Sequence, residues 1–133
     1  MLFKKLAALG VISLALLMGT LAGCGKFDPI LNVNNAPIEG AGSKTMNNVK
    51  RAIILAGSRI GWQMQTVSDG HVVATLFRAG HMAKVNINYT SESYSITYKD
   101  SSNLEYNGET ILGTYNRWVE ELHKAIRKNL ARM

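Results

Sequence analysis

Between Trp62 and Lys99 the chain alternates apolar and polar residues in short runs broken by turn signals. This stretch constrains the fold more than any other. Residues 62–68 set Trp62, Met64 and Thr66 against Gln63 and Gln65, and Asp69-Gly70 is a strong hairpin turn. Residues 71–78 are apolar on both faces, so their buried side stays open, and Ala79-Gly80 marks a second turn. Residues 82–90 place Ala83, Val85, Ile87 and Tyr89 opposite Lys84, Asn86 and Asn88. After Ser91-Glu92, residues 93–99 place Tyr94, Ile96 and Tyr98 opposite Ser95, Thr97 and Lys99. Consecutive alternating strands with short turns predict an antiparallel meander with one wet face.

A helical period flanks this run on both sides. Residues 44–60 bring Met46, Val49, Ile53, Ala56 and Ile60 to one face, with Ser43 or Thr45 as the cap. Gly57 weakens that helix by up to about 1 kcal/mol relative to Ala, and Gly61 suits its C-terminal end. From about residue 114 to 131, Tyr115, Trp118, Val119, Leu122, Ile126 and Leu130 form a second stripe. Residues 100–113 read as a loop with Leu104 and Tyr106 as packing points. The predicted order is α-β-β-β-β-α. It gives an α+β domain over residues 44–133, a four-stranded antiparallel meander covered on one face by two helices. About 90 residues suffice for one modest core.

Residues 1–23 differ in kind. Lys4 and Lys5 precede an uncharged apolar stretch, residues 6–18, and then small residues lead to Cys24. That is the layout of a secretory signal peptide. Residues 6–23 come near the lower length limit for crossing about 30 Å of hydrocarbon, so length alone does not decide between signal and anchor. Leu21-Ala22-Gly23-Cys24 does, because it resembles the lipobox of bacterial lipoproteins. The resemblance implies lipid on the Cys24 thiol, cleavage between Gly23 and Cys24, and acylation (palmitate) of the new amino terminus. Two or three acyl chains hold a protein on a membrane far longer than one. A single Cys excludes an internal disulfide framework and a Cys-based zinc site, and an anchor thiol is spent for catalysis. Gly25 stands where Asp would mark inner-membrane retention, so the outer membrane, periplasmic face, is expected.

Residues 24–43 contain both prolines and three asparagines and read as the lipidated N-terminus and a tether spanning roughly 25 Å. Phe27, Ile30, Leu31 and Val33 within it are candidates for packing on the domain. Loss of residues 1–23 removes Lys4 and Lys5 and no acid, leaving 13 basic and 9 acidic side chains and a net charge of +4. Lys124, Arg127, Lys128 and Arg132 crowd the end of the chain, either to meet an anionic surface or to complement the helix dipole. Nucleic acid is not an expected partner, because basic and aromatic residues do not interleave.

Chemistry is sparse. His71, His81 and His123 have no i,i+4 partner and no metal-protease pattern, and they read as turn or surface histidines. Asp100, Ser101, Ser102 and Asn103 read as turn formers rather than a catalytic set. No nucleophile elbow, P-loop or dinucleotide fingerprint occurs. The expectation is therefore no enzyme, no metal and no cofactor. Tyr94, Tyr98, Tyr106, Tyr115 and Trp118 fit packing between sheet and final helix, or a recognition groove. The candidate interaction surface comprises Lys84, Asn86 and Asn88 on the polar sheet face, then Arg117, Lys124, Arg127 and Lys128. Outward-facing Val72, Ala74 and Leu76 would add an apolar strip suited to a protein partner or dimer.

Residues 45–127 resemble a group of uncharacterised proteobacterial lipoproteins. The likeness lies in Arg59-Ile60-Gly61-Trp62, the strand 83–89, residues 94–101, Asn103-Leu104, Tyr106 and Tyr115-Asn116-Arg117-Trp118-Val119. The group has a His near position 112, where this chain has Leu112. The resemblance implies an envelope location and a fold, and no activity. The expected function is a membrane-anchored envelope lipoprotein whose domain binds a protein or an envelope polymer such as a polysaccharide, or supports an envelope assembly. A small lipid-anchored cell-wall hydrolase and an anionic-lipid docking module are the alternatives. A pocket holding a His or carboxylate with a displaced pKa would favour the hydrolase, and a flat polar sheet the binder.

Overall fold

The computed structural model describes residues 26–133. The signal segment, the lipobox and Cys24 lie outside the described residues. In chain order the elements are β1 (Phe27–Pro29), β2 (Val33–Pro37), a 3-10 turn (Ala41–Ser43), α1 (Met46–Arg59), β3 (Gln63–Ser68), β4 (His71–Arg78), β5 (His81–Tyr89), β6 (Ser93–Ser102), β7 (Thr110–Leu112) and α2 (Gly113–Ala131).

Helix α1 starts at Thr45, whose Oγ1 accepts the Asn48 N–H at 3.1 Å while Asn48 Oδ1 accepts the Thr45 N–H at 3.2 Å. This reciprocal box satisfies donors that a helix start leaves open, and it selects Thr45 over Ser43. Val49, Ala52, Ile53, Ala56 and Gly57 are buried, whereas Met46 at the end of the stripe is exposed. Gly57 has a packing reason: a Cβ there would overlap the Met64 side chain of the adjacent strand. Helix α2 buries the six residues of the predicted stripe, from Tyr115 to Leu130. The two helices touch, and Asn129 Nδ2 donates to the Ala52 carbonyl at 2.9 Å.

Among the described residues the architecture is α+β, with two α-helices and an antiparallel sheet, but the sheet has five strands rather than four. Its order is β2-β6-β5-β4-β3. Strands β3 to β6 are the expected meander. Register settles the ambiguous β4: Val72, Ala74 and Leu76 oppose Ile87, Val85 and Ala83, and all six face the helices in the core. These three β4 residues therefore leave no strip on the outer face. The Ala79-Gly80 turn places both residues at positive φ, 52° and 79°, between the paired Arg78 and His81. That backbone matches the twist of a two-residue hairpin.

The second departure is the segment read as a tether. Residues 27–37 are built into the domain. Strand β1 pairs with β7 as a separate two-stranded ribbon, and β2 lies along β6 with Val33 opposite Ile96 and Ala36 opposite Tyr94. Without β2, Tyr94 and Ile96 would sit at a sheet edge. Pro37 is tolerated because it ends an edge strand. A bulge between Val33 and Ala36, with Asn35 at φ 51°, disguises the alternation. Side chains fasten the segment: Asn116 Oδ1 accepts the Leu31 N–H at 2.9 Å and Asn116 Nδ2 donates to the Pro29 carbonyl at 2.8 Å. Ile38 is buried in the core.

The expected loop 100–113 is also shorter. Strand β6 runs on to Ser102, pairing with β5 past a bulge at Lys99, and β7 occupies residues 110–112. No helix among the described residues is long and apolar enough to cross a membrane.

Candidate functional site

The outer sheet face is mixed rather than purely polar. Lys84, Asn86 and Asn88 lie there on β5, opposite Thr75, Val73 and His71 of β4. Phe77, two residues further along that face, is 64% exposed. Asn86 Oδ1 lies 2.8 Å from His71 Nε2 and holds that ring in place. His81 is likewise occupied, with Nδ1 2.8 Å from the Asn103 carbonyl and its ring 6.2 Å from Trp118. The Arg78 guanidinium lies 5.9 Å from the centre of the Trp118 ring. Arg117 is exposed near the start of α2, and Asp100, one of the expected turn formers, accepts the Ser101 N–H at 2.8 Å.

Most of the aromatic residues pack. The Tyr98 ring lies 4.1 Å from that of Tyr106 and 5.7 Å from that of Tyr115, centre to centre. Tyr115 is fully buried, and its hydroxyl has no hydrogen-bond partner among the described residues. Burial, then the neighbouring Tyr98 and Tyr106, raise the Tyr115 pKa well above the usual phenol value.

Tyr94 and His123 are different. They meet at the base of a cleft of about 610 Å³ between the 36–39 segment and the C-terminal half of α2. Tyr94 Oη lies 2.9 Å from His123 Nδ1, with the rings 5.7 Å apart. Burial pushes the Tyr94 pKa up to about 12, against a smaller downward pull from Arg127. Burial, and then the Arg127 charge, lowers the His123 pKa from 6.5. At neutral pH the phenol therefore keeps its proton and the imidazole is uncharged. The phenol then donates to Nδ1, which puts the ring proton on Nε2. Ile38, Pro37 and Leu130 supply apolar wall, while Lys124, Arg127 and Lys128 bring three cations against one acid, Glu39. Lys124 and Lys128 also line a second depression of about 480 Å³ with Arg59 and Arg132, so the end of α2 is a cationic ridge between two concavities.

The structure thus divides the candidate interaction residues. It gathers Lys124, Arg127 and Lys128 around one cleft, puts Lys84, Asn86 and Asn88 on the opposite layer, and leaves Arg117 near the other end of α2. Sequence reasoning did not join Tyr94 to His123. The signal for it was modest: His123 falls four residues after Val119 and three before Ile126, within the spacing of a buried stripe. Among the described residues no three His, Cys, Asp or Glu side chains gather as a metal-ligand set. Comparison of the chain with protein-family models, curated proteins and solved structures found no match.

Proposed function

We propose that this chain is an envelope lipoprotein, processed at Cys24, whose lipid holds it on a bacterial membrane, expected to be the periplasmic face of the outer membrane. Its α+β domain is a non-enzymatic binding module. The ligand is an anionic segment of a partner protein or envelope polymer, taken into the cleft beside Tyr94. The lipobox residues support the anchoring. The observation that carries the binding role is the cleft itself, whose apolar wall is rimmed by Lys124, Arg127 and Lys128. Such a combination suits a ligand with both an apolar body and negative charge.

His123 favours a second reading, the lipid-anchored hydrolase, since an uncharged imidazole lines the cleft, though with the phenol on Nδ1 and its own proton on Nε2 the ring has no free lone pair to act as a base. The surroundings support binding better. The Tyr94 phenol beside it is raised, the reverse of an activated nucleophile, and Glu39 is the lone carboxylate in the lining.

Photo-crosslinking in intact cells separates the faces. A photoreactive residue at Ala131, on the cleft rim, should give a discrete adduct that Arg127→Glu with Lys128→Glu suppresses. An adduct from Asn88 on the outer sheet face, with none from Ala131, would contradict the assignment.

A further inference from the structure

We infer that the two ends of α2 face opposite ways on the membrane: the β1–β7 ribbon end lies against the bilayer, and the cationic cleft opens away from it. The inference rests on the proposed lipid at Cys24. The fold begins almost at that residue. The Lys26 carbonyl accepts the Gly113 N–H at 2.8 Å, at the first residue of α2. Phe27 pairs with Leu112, so the backbone is fixed from there on. Two residues of chain reach at most about 7 Å. A lipid on Cys24 would therefore hold the start of α2 within headgroup distance.

From its fixed start the N-terminal segment runs beside α2. Pro29 and Leu31 are bonded to Asn116, one turn into the helix, and Pro37 and Glu39 line the cleft with Arg127 and Lys128. Gly113 to Arg127 spans about 21 Å of helix axis at 1.5 Å per residue. Phe27 is 42% exposed next to the anchor point, an apolar ring that can bury at the boundary of headgroups and acyl chains. Near this end Lys26, Arg117 and Arg78, which lies over Trp118, are matched by Asp28, Glu105 and Glu109, so it offers anionic lipid no net positive charge. The covalent anchor and Phe27 supply the contact, and the basic end is left for a ligand in the aqueous space rather than for the anchoring bilayer.

The test uses the lipidated protein in vesicles of phosphatidylethanolamine and phosphatidylglycerol carrying nitroxide headgroups. Arg117→Cys and Lys128→Cys, both exposed on α2, each take one fluorophore. Quenching at position 117 is expected to exceed that at 128 at least threefold. Equal quenching, or stronger quenching at 128, with lipid on Cys24 verified by mass in the same sample, overturns the orientation alone. An unmodified Cys24 overturns the anchoring, and the orientation with it.

Discussion

The two ends of α2 are built from similar material and do different work. At the N-terminal end, Asn116 fastens the 29–31 backbone and the Gly113 N–H meets Lys26, while Tyr115 is buried in an aromatic stack with its hydroxyl unmet. At the C-terminal end, Lys124, Arg127 and Lys128 point their charge at a cleft, and one polar pair, Tyr94 with His123, sits at its base. A polar side chain whose partners are all within the fold is a fastener. A cation facing a concavity is available to something else. Reading the helix by composition alone does not distinguish them.

The largest effect that would sharpen this contrast is at Asn116. Asn116→Ala removes two bonds to the N-terminal segment, and each is worth about 1 kcal/mol net. A loss of about 2 kcal/mol in urea unfolding is expected, with faster amide exchange at Leu31. Exchange at Leu31 that stays as slow as in the parent would mean the segment is held by packing alone. At the other end, Tyr94→Phe loses one partly buried bond and should cost about 1 kcal/mol.

Acid and alkali report on the same pair. The folded protein resists protonation of His123, so the unfolded chain binds more protons between pH 6.5 and the lowered value. Stability should therefore fall as pH drops through that window, and His123→Ala should flatten the fall. Tyr94 acts in the other direction. Its contribution is intact below pH 10 and is lost as pH rises from 10 toward about 12, where the folded phenol ionises. The smallest effect is at Tyr115, whose hydroxyl is buried without a partner. Tyr115→Phe should be neutral or stabilising by up to about 1 kcal/mol, because an unmet buried hydroxyl is a cost. A clear destabilisation would reveal a partner for that oxygen and make Tyr115 a further fastener at this end.

What was legible in the sequence follows the same division. The period-2 run from β3 to β6 and the α2 stripe were readable because burial on one face imposes a period. Strand β4 was readable as a strand but not as to its face, since Val72 and Val73 are both apolar and only pairing with Ile87 and Asn86 separates them. Strand β2 was hidden by composition: Pro37, Asn34, Asn35 and a bulge all signal loop, and its partner strand β6, with Ser95 bonded to the Asn35 N–H, lies far along the chain, as do Asn116 and Glu92, which hold the flanking Leu31 and Ile38. The cleft was illegible for the same reason. It joins residues 36–39, Tyr94 and the end of α2, segments that no local pattern connects.

Placement and orientation both depend on the chemistry at Cys24. The intact mass of the protein extracted from the membrane fraction reads it in one spectrum. The account predicts a chain starting at residue 24 and heavier by a diacylglyceryl group, with a further acyl chain on its amino terminus. A chain still carrying residues 1–23, or one bearing a free thiol at position 24, would contradict it.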